Sequence, residues 1–158
     1  MDLVRAPDVL LLAAASALLA YALAGCGRRG ATGVVASPAL TPGVLNPAVT
    51  QATLAATVCR RGWTQTIRPP TTYTNALKLR QMAAYGETGP PSAYQEDHLI
   101  SLELGGHPTD PRNLWPEPYP RASEVDRIEN ELNAAVCAGT LSLAEAQRRE
   151  SQLKHDYG

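Results

Sequence analysis

The segment YQEDHLISLELGGHPTDPRNLWPEP, residues 94–118, places a carboxylate beside a histidine and an asparagine fifteen residues beyond that histidine. Asp97 and His98 precede an apolar run, and a double glycine separates this run from Asn113. Packing of a hydrophobic core requires none of these three polar residues, whereas metal-assisted hydrolysis uses all three types. The segment therefore predicts a hydrolytic site as well as a local fold.

The local fold predicted for this segment is a β-hairpin. The apolar residues 99–104 are predicted as a strand and residues 112–115 as a short returning strand. Gly105 and Gly106 are predicted as the turn, because glycine reverses the backbone without a steric penalty from Cβ. Neighbouring residues of a regular strand point to opposite faces, so Asp97 and His98 can share a cavity only where the strand ends or is distorted. The site is therefore expected at the mouth of the hairpin, against the helix that follows.

One helix is predicted before the hairpin. It covers residues 75–85, with Thr74 as its N-terminal cap and Gly86 just past its end. The earlier stretch, residues 46–58, fits either a short helix or a strand.

Two helices are predicted after the hairpin. Apolar residues recur every three or four positions through residues 120–138, and Gly139 follows as a stop signal. The sequence SLAE, residues 142–145, has the form of a capping box that starts another helix. Helices that follow a hairpin in this order indicate an α+β fold.

The N-terminal residues indicate export. Residues 9–25 carry no charge and end in Leu23-Ala24-Gly25-Cys26, which resembles the lipobox of bacterial lipoproteins, where the cysteine is lipidated. A retained membrane anchor and plain secretion are the alternatives, because a run of this length is at the lower limit of a membrane span. All three possibilities place the rest of the chain outside the cytoplasm. A lipidated cysteine or a retained anchor would also tether it to the membrane. The predicted organisation is a signal peptide or anchor (1–26), a flexible tether (27–45) and a folded domain (46–158).

Export of the chain determines how the cysteines are interpreted. Thiols usually pair in an oxidising compartment, and lipidation of Cys26 leaves Cys59 and Cys137 as an even pair. A disulfide between them closes a loop of 78 residues (137 − 59) and would constrain the unfolded chain by about 4 kcal/mol. Two buried free cysteines are the alternative.

Charge is distributed unevenly along the chain. Residues 9–86 contain seven bases and no acid, whereas residues 87–158 contain thirteen acids and six bases. A basic part can hold a phosphate backbone and an acidic part a cation, although both could equally be solvated surface. The candidates for phosphate contact are Arg68, Lys78 and Arg80, because they lie in the acid-free part.

The stretch EDHLISLELGGHPTDPRNLWPEP resembles the core of HNH endonucleases, the ββα-metal or His-Me finger superfamily, in a form with DHxxxLxLGG followed by NLW. About residues 42–150 are similar to small exported bacterial proteins that carry this motif. The resemblance implies a ββα-metal hairpin-plus-helix core with additional helices. It also implies hydrolysis of phosphodiester bonds in DNA or RNA, without strong sequence preference.

The same resemblance implies roles for the three polar residues. His98 would be the general base, and Asn113 would complete the catalytic pair by holding the hairpin loop and orienting His98. Asp97 would bind a divalent metal ion, with magnesium favoured and manganese, zinc or nickel as alternatives.

The chain departs from the family pattern in the helix after the hairpin. The family usually has a histidine, or in some members an asparagine, at its last motif position, and no histidine occurs between Asp110 and Lys154. Asp126 is favoured as the metal ligand in its place and Asn130 is next. The other two candidates for the helix ligand are Glu129 and Asn133.

The missing histidine leaves a second functional hypothesis, a non-catalytic exported domain that reuses the ββα scaffold.

Overall fold

The computed structural model describes residues 34–119 and 121–158 of the chain. Within this part, helices surround a two-stranded antiparallel sheet, which confirms the predicted α+β class. The elements are α1 (Trp63–Ile67), α2 (Thr71–Tyr85), β1 (Tyr94–His98), β2 (Leu114–Pro118), α3 (Arg121–Cys137) and α4 (Leu143–Tyr157).

The predicted signal segment, its lipidated Cys26 and residues 27–33 lie outside the described residues. A search of the residues that are described finds no helix with the length and apolar character needed to span a membrane.

The two strands form a short hairpin. In the register of the pair, Asp97 lies opposite Trp115 and His98 lies opposite Leu114. Strand pairing therefore begins at Tyr94 and ends at His98, so Asp97 and His98 are the last two paired residues of β1. This end of β1 is where the two side chains can turn toward the same cavity.

The prediction of a strand at residues 99–104 is wrong. Residues 99–113 form a long loop with two 3-10 turns, and β2 begins only at Leu114. The run is apolar because the loop is buried: Leu99 and Leu104 are fully enclosed. Gly105 has a φ of 80°, so it provides a turn within the loop and not between paired strands.

The three longer helices lie close to their predicted positions. Helix α2 begins at Thr71 after Pro70, so Thr74 lies inside the helix and does not cap it. Gly86 adopts a left-handed conformation with φ 74° at its end, as predicted. The helix starts earlier than predicted because the Pro70 carbonyl already accepts hydrogen bonds from the N–H groups of Tyr73 and Thr74.

Helices α3 and α4 are joined by a tight turn. Gly139 follows α3 in the left-handed conformation, with φ 74°. One half of the capping box predicted for α4 is present, since the Ser142 hydroxyl accepts a hydrogen bond from the Glu145 backbone N–H, whereas the Glu145 carboxylate pairs with Arg148 and Arg149. Residues 46–58 form neither of the predicted elements; they are turns with a single 3-10 turn at Leu54–Ala56.

The disulfide between Cys59 and Cys137 is present, and the two Cα atoms are 5.5 Å apart. It joins the end of the 46–58 stretch to the last residue of α3. One apolar cluster lies beside it and includes Val58, Val136 and Ile100 from the loop. The bridge therefore fixes α3 against the segment that covers the loop.

A second cluster contains Trp115, Leu99 and Ala36, all fully buried. Ala36 belongs to residues 34–45, which were expected to be part of the tether. These residues pack against the domain. The buried hydroxyl of Thr41 forms a hydrogen bond of 2.7 Å with the hydroxyl of Tyr85, and the Gly43 N–H donates to the carbonyl of Arg112. Glycine, proline and alanine fit here because the segment lies flat on the core and needs no regular element.

Removal of residues 34–45 should destabilise the domain. We expect a chain that begins at Asn46 to lose roughly 2 to 4 kcal/mol of unfolding free energy relative to one that begins at Val34, at about 1 kcal/mol per buried hydrogen bond. Chemical denaturation of the two chains measures the difference. Equal stabilities would show that this segment is only a tether.

Candidate functional site

A polar cavity of about 240 Å³ lies at the end of β1. Residues of α3, the loop after β1 and the segment after α1 form its wall. The lining residues are Arg68, Gln95, Asp97, His98, Ser101, Leu102, Glu103, Asp126, Glu129 and Asn130. A larger depression of about 370 Å³ lies between α3 and α4, but Asp97, His98 and Asn113 are all absent from its lining. The smaller cavity is the candidate site because it brings ionisable groups from separate elements together.

His98 is buried and held by the loop. Its Nε2 lies 3.0 Å from the carbonyl oxygen of Pro108. A carbonyl only accepts hydrogen bonds, so Nε2 carries the proton and Nδ1 keeps a free lone pair. Burial lowers the pKa of His98, although the nearby Asp97 charge acts in the opposite direction. The imidazole is therefore neutral at pH 7, which is the form that a general base requires.

Asn113 holds this loop through its side chain. Its Oδ1 accepts from the N–H of Ile100 at 3.0 Å, and its Nδ2 donates to the carbonyls of Ile100 and His107 at 3.0 and 3.1 Å. His107 precedes Pro108, whose carbonyl binds His98. Asn113 is therefore placed to orient His98 through the backbone and, being fully buried, is a positioning residue.

Gly106 completes the packing of the loop around Asn113. A Cβ atom at this position would lie 1.7 Å from the carbonyl oxygen of Ile100 and 2.6 Å from Nδ2 of Asn113. Only glycine allows this close approach.

Asp97 forms an ion pair with Lys154 of α4. The ammonium Nζ lies 2.8 Å from Asp97 Oδ2 and 2.6 Å from Oε1 of Glu129, and it also donates to the carbonyl of His98. Burial raises the pKa of Asp97, but the charge of Lys154, together with a hydrogen bond from Glu117 and the charge of His98, outweighs burial and lowers the pKa. Burial would likewise lower the pKa of Lys154, but the surrounding carboxylates raise it well above its usual value. Both groups are therefore charged at pH 7.

Glu117 of β2 lies beside Asp97 and is fully buried. Neither of its carboxyl oxygens accepts a hydrogen bond from a donor in the described part of the chain. Burial, followed by the negative charge of Asp97, raises the pKa of Glu117 to about 9. A protonated Glu117 can donate to Asp97 and so satisfy both groups, which keeps the negative charge on Asp97.

The candidates on α3 differ in their surroundings. Asp126 and Asn130 line the cavity, and the Asn130 side chain donates to the backbone carbonyl of Asp126 at 2.6 Å. Burial raises the pKa of Asp126, and the charge of Asp97 raises it further. Glu129 is engaged with Lys154, while Asn133 donates to the carbonyl of Glu103 at 2.7 Å. Asp126 and Asn130 thus line the cavity with side-chain oxygens that no hydrogen bond or ion pair engages in the described part of the chain.

The three basic residues predicted to contact phosphate are not equivalent. Arg68 lies at the cavity and is exposed. Lys78 donates to the carbonyls of Pro91 and Tyr94, both at 2.9 Å, so its ammonium holds the chain that leads into β1. Arg80 lies on α2 and donates to a carbonyl of its own helix. Only Arg68 is placed beside the candidate site.

Sequence reasoning missed Lys154, Glu117 and Glu150. Lys154 and Glu150 lie four residues apart on one face of α4, a spacing typical of a solvated helix surface. The only sequence signal was that Gln147, Glu150 and Lys154 form a polar face of α4. This pattern is the same whether the polar face is buried or exposed, so it did not reveal the buried cluster.

The oxygens at the cavity suit a hard divalent cation. Among the residues that the structure describes, no three His, Cys, Asp or Glu side chains are grouped so as to hold a metal ion. Magnesium commonly takes one or two protein carboxylates and completes its coordination with water and substrate phosphate. Asp97 and Asp126, with the amide of Asn130, fit that requirement. Oxygen donors of this kind favour magnesium over zinc, which prefers nitrogen and sulfur ligands.

Comparisons with protein-family models, with curated proteins and with solved structures found no match for this chain. The functional conclusion therefore depends on the residues and geometry of the cavity at the end of β1.

Proposed function

We propose that this domain is a metal-dependent endonuclease of the HNH type, which hydrolyses phosphodiester bonds of DNA or RNA outside the cytoplasmic membrane. One observation carries the proposal: β1 ends so that Asp97 and a neutral, oriented His98 share a cavity with Asp126 of the following helix. A two-stranded hairpin followed by a helix is also the order of elements in a ββα-metal core.

In this proposal His98 is the general base. Its Nδ1 removes a proton from the attacking water while Nε2 stays bound to the carbonyl of Pro108. The oxygen of the water then bonds to phosphorus as the bond between phosphorus and the leaving oxygen breaks. Asn113 keeps the imidazole in place through the loop, because one of its four side-chain hydrogen bonds is to the carbonyl of His107.

Asp97 and Asp126, with Asn130, would hold a magnesium ion together with the substrate phosphate. When bound, the ion supplies charge neutralisation at the phosphate and stabilisation of the leaving oxygen. The chain itself keeps Asp97 ionised for this purpose, since Lys154 lowers its pKa and Glu117 remains protonated.

Arg68 is the residue proposed to contact the nucleic acid backbone. It is exposed at the cavity, where a guanidinium can bind phosphate in a bidentate manner. Backbone contact of this kind is independent of base sequence, in agreement with a nuclease of little sequence preference.

Export is supported by the disulfide between Cys59 and Cys137, because such bridges form and persist in oxidising compartments. We propose that the chain is held at the membrane through lipid on Cys26 or through an N-terminal anchor. The nucleic acid substrate would then be extracytoplasmic.

A second candidate function is a non-catalytic exported domain built on the same scaffold. One observation favours it: the ammonium of Lys154 already neutralises Asp97. The nuclease proposal accounts for more of the site, because a scaffold has no need for a buried histidine, fixed through Nε2, in the same cavity as Asp126.

Substitution of the general base should abolish most activity. We expect His98→Ala to lower the cleavage rate by about 10² to 10⁴, the usual contribution of general-base catalysis. Asp126→Ala should instead raise the magnesium concentration needed for half-maximal rate. The measurement is cleavage of a labelled duplex in magnesium and manganese, with circular dichroism as the check on folding. Equal cleavage by the wild type and His98→Ala across both metals would reject the nuclease in favour of the scaffold.

Arg68 and Arg80 provide a matched pair for the phosphate contact. Arg68→Ala should weaken nucleic acid binding by about threefold to tenfold and reduce the slope of log affinity against log salt concentration by about one. Arg80→Ala removes the same charge away from the cavity and should change neither quantity. Binding of a fluorescent oligonucleotide, measured at several salt concentrations, tests both variants. Equal effects would indicate only general electrostatic attraction.

A further inference from the structure

One face of α4 is polar and fully enclosed, and it binds the backbone of the loop that carries His98. Gln147 donates to the carbonyl of Leu104 at 2.8 Å. Glu150 accepts from the N–H of Ser101 at 2.9 Å. Lys154 donates to the carbonyl of His98. The three side chains succeed one another along the helix and contact the backbone of residues 98, 101 and 104, so α4 holds the end of β1 and the first part of the loop.

Lys154 differs from the other two because it also contacts the site. Its side chain is completely buried, and its three N–H bonds are directed to Asp97 Oδ2, Glu129 Oε1 and the carbonyl of His98. An ammonium has only three donors, so none remains for a substrate phosphate. Lys154 therefore acts on the reaction through the groups that it holds.

We propose that Lys154 is a positioning residue that fixes Asp97 and His98 relative to α3. The proposal rests on the nuclease function proposed above. By holding Oδ2 of Asp97, the ammonium leaves Oδ1 as the oxygen available at the cavity, where Gln95 donates to it at 3.2 Å. By holding the His98 carbonyl, it also fixes the backbone from which the imidazole extends.

A purely structural role explains Lys154 less well. Burying an ammonium is costly, and replacement of a buried ion pair by apolar residues of similar volume is often neutral or stabilising. Apolar side chains of similar volume in place of Lys154 and its two carboxylate partners would fill the same space without that cost. The lysine instead joins α4 to β1 at Asp97 and His98, the two residues that the proposed reaction uses, and to α3 at Glu129.

The test uses three variants of the full-length chain. Lys154→Met removes the ammonium. Lys154→Met combined with Glu129→Gln removes one formal positive and one formal negative charge, so the formal net charge of the cluster equals that of the wild type. Because fewer carboxylates then lack a cation, we expect the double variant to be more stable than Lys154→Met alone. Gln147→Met is the control on the same face of α4, because it loses a loop contact away from Asp97 and His98.

We expect both Lys154 variants to lower kcat by about 100-fold per folded molecule, the effect of a misplacement of about 1 Å, while KM for the nucleic acid changes by less than about threefold. Gln147→Met should retain kcat within about threefold when compared at equal folded fraction. The folded fraction is obtained from denaturation curves of each variant.

The possible failures are distinguishable. If the wild type is active and the charge-balanced double variant has wild-type kcat, Lys154 only balances charge and the positioning role is overturned. If Gln147→Met loses kcat as strongly as Lys154→Met, the effect is general loosening of the loop, which also overturns it. An inactive wild type overturns the proposed function itself, together with this role.

Discussion

The buried ammonium of Lys154 is the interaction on which the site depends. It lies where β1 ends, where α3 faces the cavity and where α4 packs against the loop, and it donates to one group from β1 and one from α3 besides the His98 carbonyl. Without this charge, Asp97 and Glu129 would be enclosed at close range with no cation between them. Its presence permits a cluster of carboxyl groups inside a small domain, with the ionised state assigned to Asp97 and the protonated state to Glu117.

The fold was predictable to the extent that it follows local signals. The helices α2, α3 and α4 were located from apolar spacing, from Gly86 and Gly139 and from the capping box at Ser142. The strand predicted at residues 99–104 does not form, and the sequence could not show this because a buried loop and a buried strand share an apolar composition. The packing of residues 34–45 was also missed, since a segment without periodicity gives no local sign that tertiary contacts will hold it.

The candidate site was predictable where short-range pattern carries chemistry. Asp97, His98 and Asn113 come from one segment, and the structure places the first two at one cavity and the third within the loop that supports them. Lys154 is 57 residues from Asp97, and no spacing rule connects them. Lys78 was grouped with Arg68 by charge, yet it binds backbone carbonyls away from the cavity, because sequence does not show which cations the fold itself uses.

The proposed chemistry requires that the loop holds His98 as a neutral base with its free lone pair on Nδ1. Nitrogen-15 NMR of the imidazole in the folded protein tests this claim directly, because protonated and unprotonated ring nitrogens differ in chemical shift and in coupling to the ring hydrogens. The account predicts an imidazole at pH 7 that is protonated on Nε2 alone, as the hydrogen bond to the Pro108 carbonyl requires. An imidazole protonated on Nδ1, or on both nitrogens at pH 7, would contradict it.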